Sequence, residues 1–172
     1  QVEFIELNKK SKGVINYGVS EAGNSREHAP ILFPRTLGER HLIIWNPDEI
    51  FGKEFYRLLP KSSAFSICLQ LNLTFSILQR ELIGLTNLGS GGLKFSSEDI
   101  YKYFIIIPNL DFTPLESIVK RFISRPQFSS EKELLQEDRR KLDNLVFEEM
   151  ELSEVQIERI YEETRNLVDR RI

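Results

Sequence analysis

The side chains best suited to chemistry are few and scattered. His28 and His41 are the only histidines, thirteen residues apart, and Cys68, the only cysteine, is remote from both. A metal centre needs several His, Cys or carboxylate ligands at short spacing, which this arrangement does not supply. A Cys–His nucleophile would need Cys68 beside His41 in space. With Phe65, Ile67 and Leu69 around it, the thiol reads instead as buried and inert. The acidic pairs Glu98/Asp99, Glu148/Glu149 and Glu162/Glu163 are adjacent in sequence and read as solvated helix faces. One stretch, Gly89-Ser90-Gly91-Gly92, could cradle a phosphate through backbone N–H groups. It lacks the Gly-Lys-Ser/Thr ending of a P-loop, and Leu93-Lys94-Phe95 after it is not a helix start. Two readings stay open: a tight helix-to-strand turn, or a loop whose backbone approaches a ligand with Lys94 as a phosphate contact. No catalytic constellation stands out, so the chain is expected to be non-catalytic and to hold no metal or cofactor of its own.

The elements that must position these residues change character along the chain. Val2–Leu7 and Val14–Val19 have strand-like patterns, with turn chemistry at Gly23-Asn24-Ser25. Ala29–Pro34 is a short apolar run bounded by prolines, which suits an edge strand. Arg40–Trp45 reads as a buried strand broken by Asn46-Pro47-Asp48, with Asp48 capping a helix over 49–59 that Pro60 stops. Phe65, Ile67, Leu69 and Leu71 alternate, which fits a strand or the lead-in to a helix. Asn72 is a plausible N-cap for a helix through Phe75, Leu78 and Leu82 ending at Gly84. Ser96 with Asp99 reads as a capping box, and Tyr103–Ile107 as a buried strand. The last third is helical. Ser130 with Glu133 and Ser153 with Gln156 read as capping boxes. Leu135, Leu142, Val146 and Met150 form one apolar stripe, and Ile157, Ile160, Tyr161, Thr164, Leu167 and Val168 another. A short link at Glu151-Leu152 predicts an αα-hairpin.

The fold class expected from this pattern is α+β: a small mixed or antiparallel sheet with short helices, followed by a C-terminal helical hairpin. The division falls at residues 1–125 and 126–172, the hairpin packing on the first part or on a partner. Twelve Phe, five Tyr and one Trp among 172 residues supply enough apolar mass to exclude disorder as the main state. A single cysteine excludes a disulfide scaffold, and no apolar stretch approaches the ~20 residues of a membrane span. Glu3, Glu6, Lys9 and Lys10 interrupt any N-terminal signal pattern. With one unpaired thiol, a cytoplasmic location is expected. A chain opening on Gln1 is expected to be processed or a fragment of a longer protein. The formal charge of −3 divides unevenly: 15 basic and 13 acidic residues over 1–125, 8 basic and 13 acidic over 126–172. A mildly basic region thus carries an acidic helical tail, and the overall acidity does not exclude a nucleic-acid partner.

Two stretches carry a resemblance. The first runs through Leu71-Asn72-Leu73-Thr74-Phe75, then Asn87-Leu88-Gly89-Ser90-Gly91-Gly92-Leu93-Lys94-Phe95, Asp99-Ile100 and Ile105-Ile106-Ile107-Pro108. It resembles the C-terminal target-recognition region of adenine-specific DNA methyltransferases and, more loosely, the specificity subunits of type I restriction enzymes. The second runs Asp138-Arg139-Arg140-Lys141-Leu142-Asp143-Asn144-Leu145-Val146-Phe147, then Leu152-Ser153, Ile160-Tyr161 and Leu167–Arg171. It is similar to the tail of the same enzymes. The likeness covers about residues 30–172. Leu73 stands where the family has Ser, and Glu151 where it has Gly. The family's cofactor-binding glycine motif is absent, and Asn46-Pro47-Asp48-Glu49 lacks the second Pro and the aromatic of its Asn-Pro-Pro-aromatic motif.

The resemblance implies a restriction–modification protein of bacterial type and a DNA-reading, non-catalytic region. Its partners would be double-stranded DNA and the parent's own catalytic methyltransferase domain; no membrane and no oligomeric state are implied. The parent would use S-adenosylmethionine on a flipped adenine. Candidate DNA contacts are Arg35, Arg40, Arg80, Asn87, Ser90, Lys94 and Lys102. The alternative is a protein-interaction module docking a methyltransferase or restriction subunit. An independent enzyme is a third and weaker reading.

Overall fold

The computed structural model describes residues 29–47, 54–86 and 91–172. The strands expected at 2–7 and 14–19, the turn at 23–25, His28, Asp48, Asn87 and Ser90 lie outside the described residues. The fold is α+β, with small antiparallel sheets against a helical body.

Strand β1 (Ile31–Pro34) is central between β3 (Ile44–Trp45) and β4 (Phe55–Leu58), both antiparallel to it. This corrects the edge position expected from the flanking prolines. The reason is register: β3 pairs only with Ile31 and Leu32, so the missing N–H of Pro34 falls beyond its end. The helix expected over 49–59 is also corrected, because its described part is strand β4. Phe55 and Leu58 have helical spacing, but Tyr56 and Leu58 have the period-two spacing of a strand face. Here Tyr56 and Leu58 point inward and Glu54 O accepts from Arg35 N. A two-stranded sheet joins β2 (Thr36–Leu37) to β5 (Leu93–Lys94), whose other side bridges to Leu85. Phe33 lies edge-to-face with Phe95 and Phe104 at 5.4 and 5.5 Å, each pair contributing about 1 kcal/mol beyond its burial.

Helix α1 (Ala64–Leu71) is capped by Ser63, and α2 (Thr74–Ile83) follows after two residues. Asn72 is therefore the C-cap of α1 and not the N-cap of α2. Its side chain accepts from Ile43 N at 3.0 Å and donates to Ile43 O and Cys68 O at 2.8 Å each. At Gly84 a Cβ would meet Leu93 Cδ2 at 2.8 Å and Arg80 O at 2.9 Å, so α2 ends hard against β5. Helix α3 (Ser97–Tyr103) starts at the expected Ser96/Asp99 capping box.

The strand expected over 103–107 is replaced by an extended run held by side chains. Gln79 Oε1 accepts from Ile105 N and its Nε2 donates to Ile105 O. Gln70 does the same at Ile107. Two glutamines on α1 and α2 thus take the role of a neighbouring strand and satisfy backbone groups that burial would otherwise leave unpaired.

A 3-10 turn at Thr113–Leu115 leads into α4 (Glu116–Ser124), a helix not anticipated from the sequence. Helix α5 (Ser130–Glu133) has Ser129 at its N-cap, and the expected Ser130/Glu133 box does not form: Ser130 Oγ donates to Glu39 O and Glu133 is buried among arginines. Helices α6 (Glu137–Glu149) and α7 (Glu154–Arg171) follow one another across the expected short link, with Glu151 in left-handed backbone and a Ser153/Gln156 box opening α7, and they meet at Phe147 and Tyr161. Leu135 precedes α6 and is 60% exposed, so the buried stripe is Leu142 and Val146. Helix α7 packs along α2, and α6 against α4 and α2.

Candidate nucleic-acid interface

Four polar side chains that the sequence scatters over 131 positions converge beside the glycine turn. Glu81, near the end of α2, accepts from Arg171 Nε at 3.0 and 3.1 Å and from Arg171 Nη2 at 2.8 Å. Its Oε1 also lies 2.8 Å from His41 Nε2. Arg80 Nε donates to His41 Nδ1 at 3.1 Å. A guanidinium can only donate, so Nδ1 is the bare nitrogen and the imidazole proton sits on Nε2, aimed at Glu81. The 3.3 Å approach of Arg171 Nη2 to Nε2 is then a contact between two donors. Burial pulls the His41 pKa down to about 4, the Glu81 hydrogen bond opposing it and the Arg80 charge adding to it. Burial pushes the Glu81 carboxyl up, but the bonds from His41 and Arg171 outweigh it and leave it below the ordinary carboxylate range.

Arg171 also reaches two backbone segments. Nη1 donates to Gly91 O, and Nη2 to Gly38 O at 3.2 Å. Gly91 has a φ of +68°, and a Cβ there would sit 2.9 Å from Arg171 O. One guanidinium thus ties the glycine turn, the loop after β2 and the end of α2 together.

The seven residues expected to touch DNA fare differently. Arg40 and Lys94 are exposed and make no ion pair among the described residues; Arg40 lies between Gly38 and His41, and Lys94 follows the Gly91 turn on β5. Lys102 is exposed on α3 but pairs with Glu98, which raises its pKa. Arg35 is only 21% exposed, with Nη1 4.0 Å from Glu54 and Cζ 5.9 Å over the Tyr56 ring. Arg80 is a correction: it is fully buried, bonded to Leu71 O and His41, and cannot meet a nucleic-acid backbone. Burial, with Arg139 nearby, pulls its pKa down to about 9. Its Nη2 finds no partner among the described residues. Arg170, exposed on the last turn of α7, joins Thr86, Gly91 and Leu167 around an open cleft beside the knot. Its position was legible only as a basic residue closing a helix.

A second network joins the two stretches that carry the resemblance. Arg139 Nη1 donates to Asn72 O at 2.7 Å. Asp143 accepts from Thr74 N at 2.8 Å, Thr74 Oγ1 at 2.6 Å and Tyr161 Oη at 2.7 Å. Burial holds the Asp143 carboxyl above its usual range despite these bonds, and pushes the Tyr161 hydroxyl up as well. Glu133 accepts from Arg125 at 2.6 and 2.9 Å and from Arg139 at 2.9 and 3.1 Å. Arg125 also binds Asp138 at 2.8 Å. Asn72, Arg125, Glu133 and Arg139 of this network also line one wall of a cavity, and the network as a whole ties α5 and α6 to the α1–α2 corner.

Cys68 is buried, and burial pushes its pKa up to about 12, which leaves the thiol inert as expected. A cavity of about 250 Å³ opens between Leu42, Trp45, Phe65, Leu69, Phe122 and Ile123. Leu42, Trp45 and Ile123 are 46%, 38% and 57% exposed. No described group of three or more His, Cys, Asp or Glu could hold a metal ion, and no described helix is long and apolar enough to cross a membrane. Comparison with protein-family models, curated proteins and solved structures finds no match to this chain.

Proposed function

We propose that this chain is the target-recognition region of an adenine-specific DNA methyltransferase or a fused restriction–modification enzyme. It reads double-stranded DNA while a separate catalytic domain, using S-adenosylmethionine, methylates the flipped adenine. The observation that carries this reading is that Arg40, Lys94 and Arg170 are exposed and without ion pairs among the described residues, Arg170 lining a cleft with Gly91, and Lys94 and Arg40 following Gly91 and Gly38, the two backbone segments that Arg171 ties together. Exposed cations suit phosphate contacts, which fix the register of a protein on a duplex. Glu39 and Asp169 are exposed beside Arg40 and Arg170 in sequence, so the net positive charge is small and the isolated chain is expected to bind weakly. The ties from Arg139 to Asn72 and from Asp143 to Thr74 support the resemblance from a different side. They give a physical reason for the two stretches to occur together.

Fluorescence anisotropy with a random-sequence duplex tests the proposal. Weak binding that falls steeply with salt is the expected result. No binding at low salt by a chain with native circular dichroism overturns it. Saturable S-adenosylmethionine binding by calorimetry would overturn the non-catalytic assignment.

A second reading, a module that docks a methyltransferase or restriction subunit, is favoured by the apolar surface of Leu42, Trp45 and Ile123 around the cavity. Exposed apolar groups gathered around a cavity are a common mark of a protein interface. Trp45→Ser should leave DNA binding intact and abolish association with the catalytic domain if that reading holds.

A further inference from the structure

We propose that Arg171 is a positioning residue for DNA binding: it holds the Gly91 turn and the Gly38 loop in one fixed arrangement, so that Lys94 and Arg40 meet a duplex backbone together. The inference rests on the recognition reading above and names a residue through which that surface is set. Arg171 itself is not available as a contact, since its side chain is 2% exposed and its three nitrogens are committed to Glu81, Gly91 and Gly38.

Arg40 and Lys94 are bracketed by groups that this guanidinium touches. Gly38 and His41 flank Arg40: Arg171 bonds the first through its carbonyl, and His41 shares the Glu81 carboxylate. Lys94 is fixed on β5 by Thr36 on one side and Leu85 on the other, and the chain entering β5 is pinned at Gly91 O. Planar fork geometry is what allows one side chain to reach a carboxylate and two carbonyls at once, which an ammonium on a flexible stem cannot do. Surfaces already ordered before association avoid the cost of ordering them on binding. Releasing Arg171 should therefore weaken DNA binding roughly five- to thirtyfold through ordering alone.

The test compares the full wild-type chain with Arg171→Gln, Arg171→Lys and Gly91→Ala, using anisotropy on a random-sequence duplex across a salt series and amide hydrogen exchange by NMR. Gly91→Ala changes no charge but forces the turn off Arg171 O, so it releases the same segment from the other side. The expected result is weaker binding by all three variants, with faster exchange at Gly91, Gly92 and Gly38 and an unchanged slope of log affinity against log salt. An unchanged slope means that no phosphate contact has been lost. Full affinity in variants whose turn exchanges faster overturns the inference. A slope that falls by about one with Arg171→Gln, restored by Arg171→Lys, also overturns it, because Arg171 would then be a contact. If Arg171→Gln fails to fold, Gly91→Ala decides alone by the same two readouts. Absence of DNA binding by the wild-type chain overturns the recognition reading and this inference with it, whereas wild-type binding with insensitive variants overturns the inference only.

Discussion

Two buried networks of similar chemistry sit at opposite ends of α2, and they differ in how completely they are satisfied. The corner network sets Arg125 and Arg139 against Glu133 and Asp138, with Asn72 O and Phe128 N taking up remaining groups. Its buried charges balance and their guanidinium nitrogens are bonded, with the half-exposed Arg121 3.7 Å from Asp138 at the rim. The knot sets Arg80 and Arg171 against Glu81 alone, with His41 held neutral between them. It keeps one surplus positive charge, and Arg80 Nη2 has no partner among the described residues. A saturated network rigidifies a fold, while a partly satisfied one costs stability. The corner network therefore belongs to folding. The knot is tolerated beside the turn and loop that carry the free cations.

Breaking each network at its shared carboxylate is the strongest test of that contrast. Glu133→Ala strands Arg139, which is fully buried, together with Arg125 at 16% side-chain exposure. Removing one partner of a buried ion pair costs about 3–5 kcal/mol, and urea unfolding should show a loss of that size. A loss below about 1 kcal/mol would mean that these charges relax into water and that the corner is not a tie.

Acid separates the two regions by pH. Burial holds the folded His41 pKa at about 4 against the ordinary 6.5, so in that window the unfolded chain binds the proton and the folded chain does not. Stability is complete above the unfolded value and is lost as pH falls through the window, by about 3 kcal/mol in all. Glu81, Glu133 and Asp138 have lowered pKa values, so their contributions are lost only below the ordinary carboxylate range. Asp143, pushed up by burial, works in the opposite direction. Urea unfolding between pH 6.5 and 4.5 should therefore report His41 first, and His41→Gln should flatten the slope. An equal slope in the variant would place the acid sensitivity elsewhere.

Glu81→Ala should cost less than Glu133→Ala, about 2 kcal/mol for unmade hydrogen bonds to a charged group. Arg171 lies on the last turn of α7 and keeps Gly91 O and Gly38 O as acceptors when Glu81 is removed, whereas Arg139 keeps only Asn72 O among the described residues when Glu133 is removed. A loss larger than that of Glu133→Ala would reverse the comparison.

What the sequence made legible follows the range of the interactions. The Ser96/Asp99 and Ser153/Gln156 boxes and the Glu151-Leu152 link rest on neighbours within a turn, and all three form. Ser130 and Glu133 have the same spacing, yet Glu133 is taken by Arg125 and Arg139 and no box results. Phe55 and Leu58 fit the helical spacing, but pairing with β1 decides for strand β4, whose inward residues are Tyr56 and Leu58. Arg80 looked like a surface contact because its burial depends on His41, 39 residues away. Gln70 and Gln79 gave no signal that they would serve as a strand's partner. In the candidate site, Arg40, Lys94 and the glycine turn were legible as residue types. The role of Arg171 was not, since it comes from contacts 80 to 133 residues distant.

Lys94→Glu is the smallest change to the fold and the sharpest one for the surface. Lys94 is exposed on β5 with no ion pair among the described residues, and surface substitutions of this kind shift stability by about 0.5 kcal/mol or less. The melting temperature should therefore stay where it is. DNA affinity should fall, and the salt slope should drop by about one if Lys94 meets a single phosphate. The same substitution at Lys102 should have a weaker effect, because its charge is already shared with Glu98 one turn away on α3. A larger loss at Lys102 than at Lys94 would move the nucleic-acid face off the knot and onto α3. Arg40 and Lys94 would then be ordinary solvated residues, and the Arg171 tie would serve the fold alone.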